Sequence, residues 1–334
     1  MNTNLQELDA VLKQLNSTTM GRRAFLASVP LLLAACASTD KTRYREGDNT
    51  GQASALTVNE EKNMTAEVLP EMRKDYPALK DTRMQSYINR LGNKIVTTNG
   101  LNGKPYNYSF TVVDVPNVNA FALPAGTIFV TAPLIAMAET EAELAGVVGH
   151  EVGHVVARHS AERMFKAQKE QSKSWMYALG GGLIGGVLGY GIGKIACKPK
   201  DKACLEKAAK LGAATGAGGG LLIQKYYFMA NSREDEMEAD RIGFKTAYRA
   251  GFDKDYVGAF YNKLLEMEKR HKKGQKTKLL SSVQDAMSTH PPSTERVVQM
   301  KQMSSQAKAR PRAIVSSEEF KTIKTLAQRH TKSS

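Results

Sequence analysis

The run AELAGVVGHEVGHVVARHSAERMF, which begins at Ala142, constrains this chain more than any other. Leu144–Gly149 is small and apolar, as a buried helix requires. Gly149 and Gly153 each weaken a helix by about 1 kcal/mol relative to alanine, so they are odd choices unless another element packs close. Positions i and i+4 of a helix share one face. His150 and His154 therefore point the same way and can grip one cation. Glu151 is displaced around the helix by one residue, so it can reach a water held at that cation without ligating it.

This arrangement is the HExxH pattern of a zinc hydrolase, in which neutral imidazoles suit Zn²⁺. Such a site needs a third protein ligand and an open fourth position. A further histidine at the spacing of some zinc peptidases would fall on residue 160, which is Ser160. His159 is one place off and is expected at the surface or behind a ligand. The third ligand must come from further on. Glu236-Met237-Glu238-Ala239-Asp240 offers Glu236 and Asp240 on one helical face. Glu236 can ligate, and Asp240 can accept a hydrogen bond from a ligand histidine and fix its tautomer. A solvated acidic helix face is the bland alternative for this segment.

Taken together, HEVGH at 150–154, the E-x-x-x-D helix at 236–240, and His290-Pro291 followed by Arg296 resemble metallopeptidase family forty-eight of the gluzincins. The stretch NAFALPAGTIFVTAPLI matches the segment before the active-site helix in that family. The resemblance covers roughly residues 57–305. It implies one Zn²⁺ per chain, with His150, His154 and Glu236 as ligands and Glu151 as the base. It also implies an edge strand near Asn119–Ile128, with Asn119, Ala120 and Phe121 at the substrate backbone. Pairing of that kind recognises extended chains rather than a particular sequence. His290 or Arg296 could supply the donor that a developing oxyanion needs, or His290 could occupy the open metal position at rest. The bacterial lipoprotein branch implies an endopeptidase acting on unfolded or damaged envelope proteins. The rival reading is an envelope chaperone or assembly factor on a protease scaffold.

The first 36 residues read as an address. Arg22-Arg23 precede an apolar run from Ala24 to Ala35, whose length suits a signal-peptide core and is too short for a mature span. Leu33-Ala34-Ala35-Cys36 resembles a bacterial lipobox, so residues 1–35 are expected to be a signal peptide and Cys36 the lipidated residue. Ala37 in place of an aspartate favours the outer membrane, with the protein facing the periplasm. Residues 36–55 read as a flexible tether. The formal net charge of +14 is scattered along the chain, with no arginine-rich reading helix. That argues against a nucleic-acid partner and suits a negatively charged membrane surface.

Along the remaining chain, helical spacing predicts two helices within 57–98 and further helices from about Glu139, over 232–248, over 254–272 and over 293–308. YNYSFTVVDV and Thr127–Thr131 read as strands. Ser288–Pro292 is expected to be extended or turned, because each proline restricts the residue before it. Ser316-x-x-Glu319 is a capping-box pattern for a final short helix. The sum is an α+β fold, mainly helical, with the HEVGH helix packed on a small mixed sheet. The expected domain runs over 56–310, with a glycine-rich insertion at 176–223 and a C-terminal tail at 311–334. Cys197 and Cys204 flank a charged turn in that insertion and form a candidate disulfide, with a zinc pair or two free thiols as the alternatives.

Overall fold

The computed structural model describes residues 46–49, 52, 56–163, 231–275 and 277–333. Two capped helices open it. In α1 (Val58–Asp75) the Thr57 hydroxyl accepts from Glu60 N–H, and the Glu60 carboxylate accepts from Thr57 N–H. This reciprocal cap satisfies two backbone donors at once. In α2 (Thr82–Thr98) the Asp81 carboxylate caps the N–H groups of Arg83 and Met84. Met84, Ile88, Leu91 and Ile95 recur at helical spacing and are buried along one face of α2.

The sheet has three strands, β1 (Ser109–Val113), β2 (Ala120–Ala122) and β3 (Thr127–Thr131), in the order β1-β3-β2. β1 runs parallel to β3, with Ser109 opposite Thr127, while β2 runs antiparallel, with Ala120 opposite Val130. The turn from β2 to β3 passes through Pro124–Gly126, where Ala125 and Gly126 adopt φ of 63° and 94°. Glycine is required at 126, since a Cβ there would sit 2.9 Å from the Asn107 carbonyl oxygen. Alternation sorts the strand side chains. Phe110, Val112, Ile128 and Val130 join the main core, whereas Val113, Phe121 and Phe129 pack with Met64, Val68 and Met72 of α1. Both faces of the sheet are therefore covered by helix.

After α3 (Ala132–Met137) comes α4 (Glu141–Val156), which carries HEVGH. Every residue of α4 from Glu141 to Val155 is buried. Its close neighbour is α5 (Arg233–Arg249), capped by Ser232. The glycines explain how the two backbones approach. A Cβ on Gly149 would lie 2.8 Å from the Gly243 oxygen, and one on Gly153 would lie 2.7 Å from the Ala239 oxygen.

The later chain adds α6 (Lys254–Val257), α7 (Ala259–Lys272), α8 (Lys278–Ser282), α9 (Gln284–Thr289), α10 (Thr294–Gln306) and α11 (Glu318–Ser333). The helix expected over 254–272 is broken at Gly258, where a Cβ would meet Met300 at 2.8 Å. Helix α9 continues through Ser288 and Thr289, so the extended stretch begins only at His290. The final helix is sixteen residues long rather than short. Phe320, Ile323 and Ala327 from it belong to the main core, so residues 311–333 are an integral layer and not a tail. Its cap is Ser317, which accepts from Phe320 N–H, while the Ser316 hydroxyl accepts from Glu141 N–H.

Part of the expected tether is also packed. Asn49 donates to the Val156 carbonyl, and Gln52 donates to the Ala157 carbonyl and to Glu162. These amides satisfy carbonyls that the end of α4 leaves without a helical partner. The expected signal segment 1–35, Cys36, the glycine-rich insertion 176–223, Cys197 and Cys204 lie outside the described residues. Among the described residues, no helix is long and apolar enough to cross a membrane. The three-stranded mixed sheet and the helices around it make the fold α+β and mainly helical.

Candidate metal centre

Helix α4 places His150 and His154 one turn apart, and α5 brings Glu236 to face them. His290 arrives from the turn after α9. One donor atom from each of these four residues lies within 4.8 Å of the other three. His150 Nε2 stands 2.9 Å from His154 Nε2 and 3.2 Å from His290 Nδ1. Glu236 Oε1 stands 3.2 Å from His154 Nε2 and 3.1 Å from His290 Nδ1. His150, His154 and Glu236 are buried, and His290 is 12% exposed.

Ring nitrogens this close repel one another if both carry bare lone pairs, unless a proton or a cation lies between them. Two or three imidazoles with one carboxylate are a donor set suited to a divalent transition metal. The residues present therefore fit a metal ion.

Further contacts orient the donors. His150 Nδ1 lies 2.8 Å from Asp240 Oδ1. Arg296 grips Asp240 with Nε and Nη2 at 2.7 Å each, reaches Glu236 Oε2 with Nη1 at 2.7 Å, and donates to the Pro291 carbonyl. The Tyr261 ring lies against this guanidinium, 4.7 Å from its centre. Asn231 Nδ2 donates to Glu236 Oε1 at 2.6 Å. His159 is fully buried, with Nδ1 2.8 Å from His154 Nδ1 and Nε2 3.3 Å from Glu238 Oε2. The structure puts His159 behind His154 and not at the surface.

Burial and charge set the ionisation. Burial opposes a charged His150, but Glu236 and Asp240 outweigh it and push its pKa up to about 9 in the metal-free site. Burial and the neighbouring His150 hold His154 well below its usual range. Burial alone would raise Glu236 and Asp240, yet the Arg296 guanidinium reverses this and keeps both carboxyls below their ordinary values. Glu151 goes the other way. Burial lifts its carboxyl, and the opposing pull of His290 and His150 does not cancel the effect. A carboxyl raised in this way takes up a proton more readily than an ordinary one, as a general base must.

Glu151 Oε1 lies 3.7 Å from His290 Nε2. Beside it is a cleft lined by Asn119, Ala120, Val147, Phe260, Tyr261 and Leu264. Asn119 and Ala120 thus stand at the cleft, and the Asn119 Oδ1 has no hydrogen-bond partner among the described residues. The Phe121 side chain instead packs between Tyr76 and Phe129, on the other face of the sheet. β2 pairs only with β3, so its outer edge carries no strand among the described residues.

Sequence reasoning passed over Glu238, Tyr261 and Asn231. The alternation of acidic residues at 234–240 was a signal for Glu238, because a purely solvated face does not need acids on every side. Tyr261 and Asn231 had no such signal, since only the folded chain brings them near.

The model of Peptidase family M48 matches residues 82–304, two thirds of the chain. Among curated proteins, the chain is similar to the beta-barrel assembly-enhancing protease of Escherichia coli (strain K12), with 27% identity over 81% of this chain and 49% of that protein. It is also similar to the putative beta-barrel assembly-enhancing protease of Vibrio cholerae, with 29% identity over 65% of this chain and 40% of that protein. The mitochondrial metalloendopeptidase OMA1 of Schizosaccharomyces pombe shows 25% identity over 75% of this chain and 62% of that protein. The chain spans about half the length of the beta-barrel assembly-enhancing proteases it matches.

Proposed function

The chain belongs to peptidase family M48, and on that premise we propose that it is a zinc-dependent endopeptidase of the bacterial cell envelope that cuts unfolded or misassembled proteins. The observation that carries the reading is the convergence of His150, His154 and Glu236 beside a buried Glu151. A zinc ion bound there lowers the pKa of water and polarises a carbonyl. Glu151 accepts the proton of the attacking water and delivers it to the leaving amine. Asp240 holds the His150 ring, and Arg296 holds Asp240 and Glu236. With its guanidinium engaged by two carboxylates and a carbonyl, Arg296 acts on the site by positioning and not as an oxyanion donor. An extended substrate runs along the open edge of β2, beside Asn119 and Ala120.

His290 Nδ1 stands close to the other donors and could serve as a fourth ligand at rest. A catalytic zinc site would need that place for water or substrate, so a ligating His290 would have to withdraw before cleavage. The same observation favours the second reading, an assembly factor or chaperone whose proteolysis is latent. The envelope location is supported by the lipobox-like Leu33–Cys36 segment and by the likeness to bacterial beta-barrel assembly-enhancing proteases. A lipid on Cys36 would hold the chain on the periplasmic face of the outer membrane.

Incubation of the chain with casein tests this reading. Fragments should form with zinc, vanish with a chelator and return on adding zinc back. Fragments that persist in the chelator would remove the metal from the reaction.

A further inference from the structure

His159 and Glu238 are not donors in the cluster, yet both are fully buried beside it. Local structure puts them there. Helix α4 ends at Val156, and Arg158 takes a left-handed conformation with φ of 53°. That turn is held by Arg158 donating to the Leu56 carbonyl and to Glu61. The chain then re-enters a helix at His159, whose ring folds back toward His154. On α5, Glu236 and Glu238 are two residues apart and face different partners, one the donor cluster and the other His159. The second Glu238 oxygen accepts from Gly47 N–H at 3.3 Å.

We propose that Glu238 and His159 form a relay that fixes the tautomer of His154, making both of them positioning residues for the metal site. This rests on the reading of His154 as a ligand. The order of contacts supports the assignment. An ionised carboxylate only accepts, so the proton of a neutral His159 sits on Nε2, facing Glu238 at 3.3 Å. His159 Nδ1 then has a lone pair, and His154 Nδ1, 2.8 Å away, must donate to it. His154 Nε2 is left bare, and it is the nitrogen that faces Glu236 and His150. The opposite tautomer of His159 would drive a proton onto His154 Nε2 and end its service as a donor. Asp235 Oδ1, 3.8 Å from the same His159 nitrogen, favours the same proton position. The two ligand histidines are thus held by different devices. Asp240 serves His150 directly, while Glu238 serves His154 through a second imidazole.

Two measurements on the full chain test the relay. Long-range proton–nitrogen spectra of the zinc-free protein, which has six histidines to assign, should show His154 protonated on Nδ1 and His159 on Nε2. His159 protonated on Nδ1 would overturn the proposal. Chelator competition should then show zinc bound about 10–100-fold more weakly by His159→Phe. His159→Gln should stay closer to wild type, because its amide oxygen can accept from His154. A packing role alone predicts the reverse order, since phenylalanine fills the space. A folded His159→Phe with wild-type zinc affinity would overturn the relay, and if that variant does not fold, the spectra decide. A wild-type chain that binds no zinc would instead defeat the metal reading, and the tautomers would still judge the relay.

Discussion

Arg296 meets Asp240 through two hydrogen bonds of 2.7 Å, one from Nε and one from Nη2, and neither side chain is more than 2% exposed. The same carboxylate stands 2.8 Å from His150 Nδ1. A bidentate pair of this kind fixes orientation as well as charge. Through it, α10 sets the angle of a ring on α4.

Replacing this arginine takes the guanidinium from two buried acids and leaves His150 as the cation shared between them. Arg296→Met should destabilise the zinc-free chain by about 3–5 kcal/mol, the usual cost of removing one partner from a buried pair. Chemical denaturation measures it. A loss below about 1 kcal/mol would mean that Asp240 and Glu236 find other partners.

His290 is the accessible member of the donor cluster, at 12% exposure. If it holds the fourth position at rest, His290→Ala should raise the rate of casein cleavage several-fold with zinc still bound. A fall to background would return His290 to the role of oxyanion donor, where removing one donor costs roughly 10²–10³ in rate.

Asp81 caps α2, and hydrogen bonds from Arg83 hold its carboxyl below the ordinary 3.8. Its charged form is the one favoured by folding. The contribution is therefore present above pH 3.8 and is lost as pH falls through the lower folded value. Asp81→Ala should cost about 1 kcal/mol at pH 7, a typical cap, and the penalty should shrink below pH 3.8. Denaturation curves for both proteins between pH 3 and 7 give the difference, and a penalty that does not vary with pH would show that the charge is irrelevant.

The terminal helix α11 is expected to matter for the whole fold. Phe320 is 1% exposed and sits in the main core. Phe320→Ala should lower stability by about 3–5 kcal/mol. A change near zero would mean that α11 frays without consequence for the rest.

Much of this arrangement was legible in the sequence, for physical reasons. The i, i+4 spacing of His150 and His154 and of Glu236 and Asp240 is a local property of a helix, so it can be read without knowing the fold. Gly149 and Gly153 signalled a close neighbour, and that neighbour is α5. Alternation marked β1, and a short apolar run after a turn signal marked β3. What escaped depends on long-range contacts. Asn49 and Gln52 look like tether residues until the carbonyls of Val156 and Ala157 are seen beside them. Ser316 fits a capping box by pattern, yet Ser317 caps the helix. The start of α4 explains this, because Ser316 accepts from Glu141 N–H. The terminal helix looked like a tail because charged residues outnumber its few apolar ones, yet those few fill the core.

The central claim is that Glu151 moves the proton during peptide hydrolysis at a metal held by His150, His154 and Glu236. The most direct test sets Glu151→Gln beside the wild-type chain, with bound zinc counted in each and casein fragments followed over time. The account predicts equal zinc and cleavage by the wild type alone. Cleavage by a zinc-loaded Glu151→Gln at the wild-type rate would contradict it.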